Sequence, residues 1–88
     1  MTIRVRLFAA IREALGREGV DLTLPEQATP EDVWRALLLL EKESGDKAGG
    51  LAARRHNLAA AVNRRYAKFD APLRDGDEVV FIPPVSGG

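Results

Sequence analysis

From Thr2 to Phe8 the chain sets Ile3, Val5 and Leu7 against Arg4 and Arg6, the two-residue period of a strand with one buried face and one wet one. Phe8, Ile11 and Leu15 then fall at helical spacing and the run stops at Gly16, which predicts a short helix with a glycine cap. Alternation returns in Val20-Asp21-Leu22-Thr23-Leu24 and ends at Pro25, so two strands should flank a small helical insertion. A helix start follows. Thr29 offers a hydroxyl N-cap, Pro30 suits the first helical position, and Glu31 and Asp32 put carboxylates at the positive end of the macrodipole. Val33, Leu37 and Leu40, widened by Trp34, Ala36 and Leu38, form the apolar stripe of one long helix packed on a sheet. Leu39 is left partly exposed, and the helix should end near Ser44-Gly45.

Beyond it, Gly45 to Gly50 reads as a polar, glycine-rich loop, and Arg54, Arg55 and His56 fall in a stretch with no assignable period. Leu58 to Val62 predicts a third strand, Asn63-Arg64-Arg65 a turn, and Tyr66 to Phe69 a short fourth strand. Pro72 to Asp77 is turn chemistry, with Asp75-Gly76 supplying a position that tolerates positive φ. Glu78 to Ile82 is the last strand, apolar almost throughout and therefore expected in the sheet's interior. This order of elements in 88 residues is that of an α+β β-grasp. A mixed sheet wraps one main helix, with the first and last strands as parallel neighbours at its centre. Residues 1–82 are assigned to that domain and residues 83–88 to an extended C-terminal tail.

The tail is Pro83-Pro84-Val85-Ser86-Gly87-Gly88. Two prolines fix φ and donate no backbone hydrogen bond, so the strand must end and continue as a stiff polyproline-type segment. Six extended residues reach roughly 20 Å. The two glycines present no side chain that would block insertion into a narrow slot. The expected shape is a slender, flexible Gly-Gly tail carried on a compact handle.

Composition removes several function classes. Thirteen basic and thirteen acidic residues cancel, so no global field steers the chain to nucleic acid or an anionic membrane. No apolar run approaches the ~20 residues needed to span a bilayer, and the N-terminus lacks a signal-peptide pattern; a cytoplasmic protein is expected. Cysteine is absent, which excludes a disulfide, a thiolate nucleophile and a persulfide of the chain's own.

Candidate chemistry is sparse. His56 is the only histidine and has no partner at motif spacing, so it is read as a surface residue. Asp75, Asp77 and Glu78 lack the ligand spacing of a calcium loop and read as a hairpin turn, and no metal site is assigned. Between Lys47 and Phe69 lie six basic residues (Lys47, Arg54, Arg55, Arg64, Arg65, Lys68) and no acidic one. With only Tyr66 and Phe69 among them, that stretch suits solvation or an acidic protein partner better than base stacking. What remains is the terminal carboxylate of Gly88. It is an unreactive anion near neutrality and becomes an acyl donor once a partner converts it to an acyl-adenylate with ATP. A sulfur nucleophile attacking that adenylate would leave a thiocarboxylate at the tip of the tail.

The opening Leu7-Phe8-Ala9-Ala10-Ile11-Arg12-Glu13, the segment Leu58 to Asn63, Phe69-Asp70 with Pro72-Leu73, and Asp75-Gly76-Asp77-Glu78-Val79 resemble the small, sulfur-carrier subunits of molybdopterin synthase. So, most specifically, does the ending Phe81-Ile82-Pro83-Pro84-Val85-Ser86-Gly87-Gly88. The resemblance spans nearly the whole chain. It implies a ubiquitin-like fold, adenylation of Gly88 by a ubiquitin-activating-type enzyme, thiocarboxylation, and insertion of the tail into a large catalytic subunit, usually in a two-plus-two heterotetramer. There sulfur passes to a cyclic pyranopterin precursor to build the molybdopterin dithiolene. By the same resemblance Gly87 and Gly88 are the functional terminus, and Pro83, Pro84, Val85 and Ser86 are the part held in the partner's channel. Phe8, Arg12 and Phe81 are interface positions. No cofactor is expected on this chain, ATP being used by the activating partner.

Three rival readings share the fold. A thiamine-pathway sulfur carrier has the same Gly-Gly chemistry but resembles a shorter chain without the Phe-Ala-x-x-Arg-Glu helix and the Pro-Pro tail. A protein modifier would be conjugated to lysines through Gly88. A plain interaction module would use its sheet face and leave the tail inert. A free-standing enzyme is disfavoured, since no nucleophile, base and orienting group stand at motif spacing.

Overall fold

The computed structural model describes residues 1–43 and 51–83. Its elements are β1 (Thr2–Arg6), α1 (Ala9–Leu15), β2 (Gly19–Thr23), α2 (Pro30–Glu43), a 3₁₀ helix (Ala52–Asn57), β3 (Ala59–Val62), β4 (Arg65–Ala67) and β5 (Glu78–Ile82). The five strands form one sheet in the order β2-β1-β5-β3-β4. β5 runs parallel to β1, and β1–β2, β3–β5 and β3–β4 are antiparallel. This is the expected mixed β-grasp sheet, with the last strand at its centre.

Period-two patterning does what physics requires of it. Ile3 and Val5 on β1 and Val79 and Phe81 on β5 face α2, which answers with Val33, Trp34 and Leu37. α1 adds Ile11 and Leu15 and stops at Gly16, whose φ of 71° is left-handed and whose N–H donates to the Arg12 carbonyl at 2.8 Å. At the start of α2, Thr29 and Asp32 cap each other. The Thr29 N–H donates to Asp32 Oδ2 at 2.9 Å, and the Asp32 N–H donates to Thr29 Oγ1 at 3.3 Å.

Ala60 lies directly opposite Phe81 across the β3–β5 ladder. Its small side chain leaves room for a ring cluster in which Trp34 meets Phe81 edge-on at 5.2 Å between centroids and Phe69 stacks on it at 5.8 Å. This packing corrects one expectation. The sequence reads Phe81 as an interface position, but its parity on β5 points it into the core and only 1% of it is exposed, so it meets the surface only at the floor of a groove.

The turn after β3 is tighter than expected. Asn63 at φ 52° and Arg64 at φ 71° form a two-residue connection, and Val62 pairs with Arg65, which therefore belongs to β4. Asn63 is held there by β5: its N–H donates to the Glu78 carbonyl at 2.8 Å and its Oδ1 accepts the Glu78 N–H at 3.0 Å. The turn from Arg74 to Asp77 uses Gly76 at φ 87°, as Asp75-Gly76 predicted. β4 ends at Ala67, two residues before the expected limit, because Phe69 turns inward onto Phe81.

The basic stretch without a sequence period is the 3₁₀ helix. Arg55 is its anchor: the guanidinium donates to Glu31 Oε1 from Nε at 3.0 Å and lies 3.4 Å from the centre of the Phe69 ring. Arg55 is thus a structural cation, whereas Arg54, His56, Arg64, Arg65 and Lys68 are exposed. A second polar feature was not foreseen. Glu41 is buried on α2, and its Oε2 accepts the Leu51 N–H at 3.3 Å. The predicted loop Gly45 to Gly50, the end of α2 at Ser44-Gly45 and Lys47 lie outside the described residues.

Candidate functional site

The site has two parts that meet where β5 ends. The first is the root of the tail. β5 occupies the sheet's centre, bonded on both sides, and gives way to Pro83 immediately after Ile82. A proline without an N–H cannot extend the ladder. Of the tail positions named from the sequence, Pro83 is described; Pro84, Val85, Ser86, Gly87 and Gly88 lie outside the described residues.

The second part is the face of the sheet that carries no helix. The register aligns Arg6 with Val80, Val80 with Ala61, and Ala61 with Tyr66, which makes one row across four strands. Ile82 stands next along β5, opposite Ala59. Alternation explains the row: with Val79 and Phe81 turned inward, Glu78, Val80 and Ile82 must face outward. Val80 and Ile82 are half-buried, Tyr66 is 71% exposed and Phe8 is 44% exposed. A shallow depression between them is bounded by Arg6, Arg64 and Glu78. An apolar centre with a charged rim is the anatomy of a protein–protein interface.

Phe8 reaches this face because its own backbone is still extended, at φ −119° and ψ 151°, and so keeps the outward parity of Arg4 and Arg6 before Ala9, at φ 49°, turns the chain into α1. The Arg6 guanidinium carbon stands 5.8 Å from its ring centre. Arg12 lies one helical turn further on, exposed, its N–H donating to the Phe8 carbonyl at 3.3 Å. The structure thus brings Phe8 and Pro83 to the border of one groove, sets Arg12 one turn along α1 from Phe8, and leaves Phe81 almost wholly in the core beneath them.

Sequence reasoning missed Tyr66, Val80 and Ile82. A signal for them was present: β5 reads as apolar on both faces, and a strand that is central yet lacks a helix on one side must expose half of those residues. Among the described residues, no cluster of three His, Asp or Glu side chains converges to hold a metal ion. Among the same residues, no helix is long and apolar enough to cross a membrane.

Known proteins with this architecture agree in sequence along its full length. The molybdopterin synthase sulfur carrier subunit of Escherichia coli is 38% identical over 86 residues, covering 98% of this chain and 99% of that protein. Small archaeal modifier protein 3 of Haloferax volcanii is 33% identical over 95 residues, covering 100% of each. Among solved structures, a protein–protein complex of subunits 1 and 2 of molybdopterin-converting factor from Helicobacter pylori contains a chain that superposes with a TM-score of 0.61 at 29% identity, with 100% of both chains covered. Residues 5–88, which hold the parallel centre of the sheet and the Gly-Gly terminus together, match the model of the ThiS family, and the chain belongs to that family.

Proposed function

We propose that this chain is the sulfur carrier subunit of molybdopterin synthase. The observation that carries the reading is the position of Pro83, the root of the tail. Pro83, from which the sequence continues to Gly-Gly, directly follows the central strand, whose last residue Ile82 borders an open apolar face. A partner that docks on Phe8, Tyr66 and Ile82 would receive the terminus in a defined direction, which removes much of the orientational entropy of transfer. The curated relatives named as sulfur carrier subunits support the reading, and the Helicobacter complex supports a large-subunit partner.

The chemistry uses the Gly88 carboxylate. An adenylating enzyme joins it to the α-phosphate of ATP with release of pyrophosphate. A sulfur nucleophile then displaces AMP and leaves a thiocarboxylate. The large subunit supplies the catalytic side chains that pass this sulfur to a cyclic pyranopterin precursor, in a two-plus-two assembly. The chain's own part is to carry, orient and present; it holds no cofactor, and ATP belongs to the activating partner.

A second reading, attachment to lysines as a modifier, is favoured by the modifier relative from Haloferax. Intact-mass spectrometry after incubation with an adenylating enzyme, ATP and a sulfur donor separates the two. Replacement of one oxygen by sulfur, mapped to Gly88 by fragmentation, is expected. Isopeptide adducts with no such replacement would overturn the carrier reading. Mapping is required because oxidation of Met1 gives nearly the same nominal mass change.

A further inference from the structure

A groove of about 430 Å³ runs between the start of α1 and the 3₁₀ helix, away from the row of Tyr66 and Ala61. Its lining joins the buried Ile11 and Phe81 and the half-buried Leu58 to the small side chains of Ala10 and Ala53. These small and apolar side chains leave space that the described residues do not fill, and such surface is favourable to cover.

Three observations point to what covers it. Phe8 borders both this groove and the open sheet face, so the two surfaces are continuous. Pro83 lines the groove as well, so a protein that grips the tail at its root must pass over it. Arg54 is the one charged residue of its lining, and it makes no ion pair among the described residues. An unpaired guanidinium beside an apolar depression suits a large side chain flanked by a carboxylate.

We propose that this groove receives an apolar anchor side chain of the large synthase subunit, from a segment that also presents a carboxylate to Arg54. The inference rests on the sulfur-carrier reading and adds a second contact region to the open face. It also assigns a use to the basic 3₁₀ helix, of whose two adjacent arginines Arg55 is turned inward to Glu31 and Phe69 while Arg54 is left at the groove.

The test is titration calorimetry of the full-length chain with its cognate large subunit. Ala53→Phe fills the groove from an exposed backbone position, and Arg54→Glu reverses the charge without altering the apolar base. Circular dichroism and thermal melting check that each variant folds; if Ala53→Phe does not, Arg54→Glu and Arg54→Ala decide alone. The expected result is at least tenfold weaker binding for both variants, with Arg54→Ala flattening the salt dependence of the affinity.

Wild-type affinity in the groove variants, while Tyr66→Glu weakens binding, would overturn the groove proposal and leave the carrier reading standing. Failure of the wild-type chain to bind any large subunit would overturn both. Normal binding to the large subunit with lost adenylation would assign the groove to the activating enzyme and overturn the occupant named here. A concentration-dependent dimer of the chain alone, abolished by Ala53→Phe, would assign it to a second copy and do the same.

Discussion

The guanidinium of Arg55 is 3.4 Å from the centre of the Phe69 ring, and Phe69 in turn stacks on Phe81. A cation on the 3₁₀ helix is thereby linked through two rings to the strand that delivers the tail. The same guanidinium pairs with Glu31 in the first turn of α2, where both side chains are about one-third exposed. Arg55→Ala removes a partly desolvated cation–π contact and an ion pair together. A loss of about 1–2 kcal/mol is expected, which lowers the melting temperature by roughly 4–15 °C in a domain of this size. Arg55→Lys should recover only part of it, because an ammonium cannot lie flat on the ring. Equal melting temperatures for wild type and Arg55→Ala would show that the stack contributes nothing.

Phe81 and Ile82 are neighbours in sequence and opposites in role. Phe81→Ala opens a cavity beside Trp34 and should cost about 3–5 kcal/mol, a large part of the stability of a small domain. Ile82→Ala, on the open face, should change the melting temperature by only a few degrees and weaken binding to the large subunit. Thermal melting and calorimetry on the two variants measure both effects, and the reverse pattern would refute the assigned faces.

The Asn63-Arg64 turn holds a non-glycine residue at φ 71°. Arg64→Gly removes the steric cost of that conformation and creates the Asn-Gly pair favoured in two-residue hairpins. A gain of roughly 0.5–1 kcal/mol is expected after the entropy that glycine adds to the unfolded chain is subtracted. Urea titration with an unchanged m-value would establish it, whereas destabilisation would mean that the Arg64 side chain stabilises the hairpin by more than the strain.

Tyr66 is the most exposed large apolar side chain among the described residues, at 71%. Tyr66→Glu should leave the melting temperature unchanged and weaken binding to the large subunit by roughly 2 kcal/mol, about thirtyfold. Unaltered affinity would move the docking surface off this face.

Deletion of Gly88 touches no contact among the described residues. Such a chain is expected to fold normally, to keep its affinity for the large subunit within a few-fold, and to accept no sulfur. Sulfur transfer by the truncated chain would be fatal to the assigned chemistry.

Much of this protein is written locally. Alternation of Ile3, Val5 and Leu7 specifies a strand and its inward face. The Thr29-Pro30-Glu31-Asp32 run specifies where α2 begins, and Asp75-Gly76 specifies a turn, because each signal acts over a few residues through sterics and neighbouring hydrogen bonds.

Other features exist only because distant residues meet. Arg55 reads as one cation among six until folding sets it between Glu31 and Phe69, 24 and 14 positions away. Glu41 is buried, and one of its partners, the Leu51 N–H, stands ten positions away. Phe81 and Ile82 carry equal hydrophobic signals, and only the packing of α2 against one side of the sheet decides which is core and which is surface. The amino-acid order determined the elements, through short-range backbone preferences. The tertiary structure decided which apolar residues remain for a partner, because one helix can cover only one face of a sheet.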